Sequence, residues 1–129
     1  MGDHYSVSFW NKTKKAKVTR EVNYWIRALM LESWDIRLEF EVNDSADYAA
    51  NVSIDNSYTR ALITVNAHAL KPPNILNEVI CHELLHVVLS GLSNSSAQLL
   101  SGTLVTHREL IEVEEKTVEH LTRILNRGI

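Results

Sequence analysis

Residues 74–92 read NILNEVICHELLHVVLSGL, an apolar stretch that contains two histidines and two glutamates. Apolar side chains occur all round a helix drawn through it, which predicts a buried helix from Asn74 to about Ser90. Asn74 suits the cap at the start of this helix, and Gly91 suits the position just past its end. The histidines and glutamates inside the helix require partners, because an unpaired buried polar group is costly.

The polar residues of this helix form an HExxH motif, His82-Glu83-Leu84-Leu85-His86. The four-residue spacing brings both imidazoles to one face, where they could converge on a Zn²⁺ ion at about 2.0–2.1 Å. Glu83 points in a neighbouring direction and could take a proton from a metal-bound water. The alternative is a pair of core histidines that are hydrogen-bonded to the backbone or to carboxylates.

A zinc site requires at least a third protein ligand. Leu89 and Leu92 stand where the metzincin motif continues with Gly and His, so that class is excluded. The third ligand is therefore expected from the last predicted helix, residues 106–126. Its candidate ligands are His107, Glu109, Glu112, Glu114, Glu115, Glu119 and His120.

The glutamates of the last helix differ in their position relative to its apolar stripe, which is made of Ile111, Val118, Leu121 and Leu125. Glu115 lies at the edge of this stripe and can face inward, so it is the favoured third ligand. Glu119, one turn later, could accept a hydrogen bond from the free ring nitrogen of a ligand histidine. Glu114 remains the alternative to Glu115, because it continues the stripe at intervals of three and four.

The remaining elements are predicted from hydrophobic periodicity. A helix is expected at 18–32 and strands at 35–42, 48–54 and 60–66, followed by the two helices. The turns between the strands are short, which predicts antiparallel hairpins. Residues 93–96 and Gly102 are expected to interrupt the last two helices. We therefore expect one α+β domain over residues 1–129, with a small, mainly antiparallel, three-stranded sheet that needs a helix on one face.

Composition limits the classes of partner and compartment. The chain has 129 residues, of which 45% are hydrophobic and 22% charged, and its net charge is −3. Neither nucleic acid nor a membrane is therefore expected as a partner, and the lysines near the N-terminus are interpreted as a solvated flank. Cys81 is the only cysteine, which excludes an internal disulfide, and it is expected in the core. The absence of an apolar leader or span predicts a cytoplasmic protein.

HELLH on a buried helix, followed by Glu115-Lys116-Thr117-Val118-Glu119 on a second helix, resembles the gluzincin zinc metallopeptidases. The short length and the element order are similar to minimal single-domain gluzincins and to small phage or prophage metallopeptidase-like proteins. The resemblance covers about residues 35–125. Gluzincins often carry the downstream glutamate in an E-x-x-x-D setting, and Glu119 stands here in place of the Asp.

The resemblance implies a zincin-like fold that hydrolyses peptide bonds through a zinc-activated water. His82, His86 and Glu115 would be the metal ligands and Glu83 the catalytic base. A peptide or protein substrate would lie along an edge strand, expected at Arg60–Asn66. Family members often add a Tyr or His that supports the oxyanion, for which the candidates here are His68, His107 and Tyr58.

Two other functions remain open at this point. The chain could be a zincin-fold binding or regulatory protein whose proteolytic activity is weak, latent or absent. It could also hold a structural zinc with four closed protein ligands, the fourth being His107 or His120.

Overall fold

The computed structural model describes residues 9–99 and 107–127, and the side chains of these residues other than 91–99 and 107–110. Its elements follow in the predicted α-β-β-β-α-α order and confirm the α+β class. They are α1 (Lys12–Ala28), β1 (Asp35–Glu41), β2 (Ala50–Asp55), β3 (Arg60–Asn66), α2 (Leu76–Leu99) and α3 (His107–Arg127). Short 3₁₀ helices follow β2 at Asn56–Tyr58 and β3 at Ala67–Leu70. No helix among the described residues is both long and apolar enough to cross a membrane.

The three strands form a mixed sheet in the order β1-β3-β2. β2 and β3 are antiparallel, as predicted, with Val52 opposite Ile63. The predicted β1–β2 hairpin is wrong, because β1 pairs in parallel with β3. Residues 42–49 separate β1 from β2, and this connection is long enough to cross the width of one strand. The chain then returns through β3, which fills the gap.

The strand Arg60–Asn66 was expected at the sheet edge, and this placement is wrong. It is β3, the central strand, and its backbone pairs with β1 on one side and β2 on the other. Among the strands that the structure describes, β1 and β2 form the edges of the sheet, and α2 packs against β2. A strand's place along the chain does not fix its place in the sheet, so the sequence could not identify the edge.

One face of the sheet is covered by α1 and α2, with α3 packed on α2. The covered face of β3 is the most buried part of the sheet, since Ala61, Ile63 and Val65 are at most 2% exposed. The helices contribute a matching set of buried side chains, namely Val18, Val22, Trp25, Ile80, Cys81, Leu84, Val87 and Val118. Cys81 therefore lies in the core, as predicted, and burial raises the pKa of its thiol from 9.0 to about 11.

α1 begins six residues earlier than predicted. Asn11 caps it by accepting a hydrogen bond from the Lys14 N–H at 2.9 Å. The first turns are rich in lysine and lack apolar periodicity, so they gave no helical signal. α1 ends at Ala28, and Met30 adopts a left-handed backbone conformation with φ 58°.

α2 departs from the prediction at both ends. It begins at Leu76, because Asn74 does not cap it and instead donates its side-chain N–H to the His68 carbonyl at 2.9 Å. It also continues through Gly91 and the polar residues 93–96 as far as Leu99. A glycine costs a helix only about 1 kcal/mol relative to alanine, which does not end a helix that packs well elsewhere. Gly102 lies outside the described residues.

Asn66 is a fully buried polar residue that joins the sheet to the 42–49 connection. Its side-chain N–H group donates to the carbonyls of Asn43 and Tyr48, at 3.0 and 3.3 Å. Its side-chain oxygen accepts from the N–H groups of Asn43 and Ala67, at 3.1 and 2.8 Å. The side chain thus satisfies backbone groups that a loop would otherwise bury without partners.

We predict that Asn66→Ala lowers the free energy of unfolding by about 2–4 kcal/mol, because it leaves several backbone groups unpaired. The exposed Asn23 of α1 provides the control, and Asn23→Ala should change stability by less than about 0.5 kcal/mol. Urea unfolding followed by circular dichroism measures both variants. Equal stability of the two variants would contradict the role assigned to Asn66.

Candidate metal centre

The two motif histidines lie side by side on α2. They are four residues apart, so they project from the same face, and their ring centroids are 5.1 Å apart. The side chains of His82 and His86 are 27% and 18% exposed. Both rings are therefore withdrawn from bulk water but remain reachable at the surface of the helix pair.

α3 supplies a carboxylate to both rings. Glu115 Oε1 lies 3.0 Å from His82 Nε2, and Glu115 Oε2 lies 3.2 Å from His86 Nε2. The potential ligand atoms of these three residues all lie within 4.8 Å of one another. The structure therefore brings together the three residues that the sequence analysis selected as ligands.

Glu114 binds the other side of the His86 ring. Its Oε1 lies 3.0 Å from His86 Nδ1, and an ionised carboxylate can only accept a hydrogen bond, so Nδ1 is the donor. In the neutral imidazole, Nε2 then carries a lone pair and faces a carboxylate oxygen of Glu115. Two acceptors would then face each other, and a positive charge between them, either a proton or a metal ion, removes the conflict.

The donor set fits a zinc ion. Two imidazole nitrogens and one carboxylate are a known ligand set of catalytic zinc, and a second carboxylate on the free ring nitrogen fixes the tautomer that binds metal. The sequence predicts Glu119 for this supporting contact and leaves Glu114 as the alternative third ligand. In the structure Glu114 makes the supporting contact, and Glu119 lines the neighbouring cleft.

Glu83 follows His82 and lines the same cleft. The pKa of its carboxyl is raised from 4.5 to about 7, chiefly by burial; within this net shift the charge of His86 acts to lower the pKa and that of Glu115 to raise it. A mostly buried carboxyl that opens onto a cleft is a suitable group for accepting and returning a proton.

The cleft has a volume of about 440 Å³ and lies beside His82 and Glu83. One wall comes from the end of the 42–49 connection and the start of the edge strand β2, with Tyr48, Ala49 and Ala50. The other walls come from α2, from the segment before it and from α3. These walls are lined by Pro73, Asn74, Ile75, Glu78, Val79, Glu119, Thr122 and Arg123.

Tyr48 and Arg123 are cleft residues that the sequence analysis did not select. Tyr48 donates its hydroxyl hydrogen to Glu41 Oε1 at 2.5 Å, and this bond to a carboxylate raises the pKa of the phenol. Neither residue belongs to a motif, and only the folding of β2 and α3 toward α2 brings them to the cleft. No sequence signal could therefore have identified them.

The predicted oxyanion-supporting residues do not line this cleft as far as the structure describes them. Tyr58 is 69% exposed in the 3₁₀ helix after β2, and His68 lies in the 3₁₀ helix after β3. The side chain of His107 is outside the described residues.

Comparison of the chain with protein-family models, with curated proteins and with solved structures found no match. The interpretation of the centre therefore rests on the chemistry of its own side chains.

We predict that the chain, purified without chelators, binds one Zn²⁺ per molecule and that His86→Ala abolishes this binding. The exposed His120 of α3 provides the control, since His120→Ala removes an imidazole outside the cluster. Elemental analysis by mass spectrometry measures the stoichiometry. Equal zinc loss in both variants would contradict the proposed ligand set.

We further predict that Glu114→Gln weakens zinc affinity by about 10- to 100-fold, because an amide supports the His86 ring less strongly than a carboxylate. Glu119→Gln removes the same charge five residues further along α3 and should leave the affinity within about twofold. Competition with a chromogenic chelator measures both constants. If Glu119→Gln weakened zinc affinity more than Glu114→Gln does, the supporting contact would be assigned to Glu119.

Proposed function

We propose that this chain is a zinc-dependent metallopeptidase that hydrolyses peptide bonds in a gluzincin-like manner. The observation that carries the proposal is the Glu115 carboxylate lying between His82 and His86, with Glu83 beside them in a cleft. A structural zinc site with four protein ligands needs neither an open cleft nor a partly buried carboxyl next to it.

Each residue of the centre has one role in this proposal. His82, His86 and Glu115 hold the zinc ion, and Glu114 keeps the His86 ring in the orientation and tautomer that bind it. When bound, zinc supplies positive charge that acidifies water and polarises the scissile carbonyl. The Glu83 carboxylate accepts a proton from the attacking water and then donates it to the leaving amine.

The substrate we propose is an extended peptide, and its expected position moves from β3 to β2. β2 is an edge strand that pairs with β3 alone among the described strands, so its other side can accept a further strand. The beginning of β2 forms the wall of the cleft that contains His82 and Glu83. A peptide paired with β2 would therefore run toward the groups that cleave it.

We predict that Glu83→Gln keeps the fold and one zinc per chain but lowers peptide cleavage by at least about 10²-fold, because the amide cannot accept a proton. Glu78→Gln is the matched control, since Glu78 lines the same cleft on α2 but lies outside the three-residue cluster. Cleavage of a broad peptide library, followed by mass spectrometry, measures both variants, with a hydroxamate as inhibitor.

Two outcomes would count against the enzyme. If the wild-type, zinc-loaded chain cleaves nothing in the library, the alternative is a zincin-fold binding or regulatory protein. If Glu83→Gln cleaves as fast as wild type, Glu83 is not the base.

A further inference from the structure

α1 concentrates positive charge in a chain that is acidic overall. The helix contains six lysines and arginines but one acid, Glu21, so its net charge is +5 while the net charge of the whole chain is −3. The lysine run looks like a solvated flank in the sequence. Its placement in the folded structure determines whether these charges act together.

Two of the six cations form cation–π contacts with aromatic rings. The Lys14 ammonium lies 3.8 Å from the centre of the Phe9 ring, and that of Lys15 lies 5.5 Å from the centre of the Phe40 ring. Such contacts partly satisfy the charge of a lysine and draw its side chain toward the ring.

The other four cations, Lys12, Lys17, Arg20 and Arg27, form the basic face of α1. All four are exposed, and the buried side of the helix is formed by Val18, Val22 and Trp25. Within the described part of the chain, none of the four forms an ion pair. The face extends over about 22 Å, the rise of the helix over the fifteen residue steps from Lys12 to Arg27.

An exposed aromatic ring lies within the basic face. Tyr24 is 49% exposed and lies one turn from both Arg20 and Arg27. Together with Ala28, these three residues line an open hollow of about 420 Å³. Two guanidinium groups therefore flank a planar ring at a concave site on the surface.

We propose that the basic face of α1 binds single-stranded nucleic acid. Phosphates would contact the four cations, and a base would stack on the Tyr24 ring in the hollow between the two arginines. Charge alone would serve any polyanion, but an accessible ring among the cations favours unpaired bases, whose faces are free to stack. The net charge of the whole chain is negative and argues against nucleic acid. A bound polyanion would, however, interact with the local charge of the basic face, which is positive.

Binding of a fluorescein-labelled, 20-residue oligothymidylate, measured by anisotropy between 50 and 200 mM NaCl, tests this proposal. We expect log K to fall with log salt with a slope of about −3, since each neutralised phosphate of a single strand contributes about −0.7. Arg20→Ala combined with Arg27→Ala should reduce the magnitude of the slope by about 1.4. Tyr24→Ala should weaken binding about tenfold and leave the slope unchanged.

Arg37→Ala combined with Arg60→Ala provides the matched control. It removes two exposed arginines from β1 and β3 and should leave affinity and slope unchanged. Circular dichroism establishes that each variant is folded.

Three results would overturn the proposal. The first is no binding of the oligonucleotide at 50 mM NaCl, and the second is equal weakening by the control variant. The third is that a DNA duplex or polyglutamate binds as tightly as the single strand and that Tyr24→Ala does not weaken binding of the single strand.

Discussion

The contact between one carboxylate of α3 and two imidazoles of α2 is the interaction on which the candidate centre depends. It exists because α3 packs along α2 with Val118 fully buried, so the preceding turn is held over His82 and His86. Glu115 can then reach both Nε2 atoms while Glu114 reaches Nδ1 of His86. Two neighbouring glutamates thus contact opposite sides of the same ring, and a metal ion is the partner that we propose for this arrangement.

The cleft beside this centre depends on a different part of the fold. Its wall at Tyr48, Ala49 and Ala50 belongs to the end of the 42–49 connection and the start of β2. The buried amide of Asn66 holds that connection, although Asn66 itself ends the central strand. The same chain path makes β2 an edge strand. Sheet topology therefore determines both the shape of the cleft and the strand beside which an extended ligand would lie.

The two proposed binding surfaces differ in charge. The cleft is lined by Glu78, Glu83 and Glu119 together with Arg123, whereas the basic face of α1 has four exposed cations that form no ion pair with any residue that the structure describes. A net charge of −3 averages over these surfaces and describes neither of them. Surface electrostatics acts over about one Debye length, so the local distribution of charge, and not its sum, decides which ligand approaches which face.

The sequence alone determined the features that depend on spacing within one element. The helical repeat places His82 and His86 on one face, and apolar periodicity predicts the strand Arg60–Asn66 and the final helix to within a residue of each end. The choice between Glu114 and Glu115 was different, because side chains adjacent on a helix point about 100° apart. The packing of α3 on α2 fixes the rotation of α3 about its axis. Only this rotation determines that Glu115 contacts both Nε2 atoms and that Glu114 contacts Nδ1 of His86. Strand order, the cleft residues Tyr48 and Arg123, and the exposure of the cations on α1 likewise depend on contacts between distant segments, which no local pattern encodes.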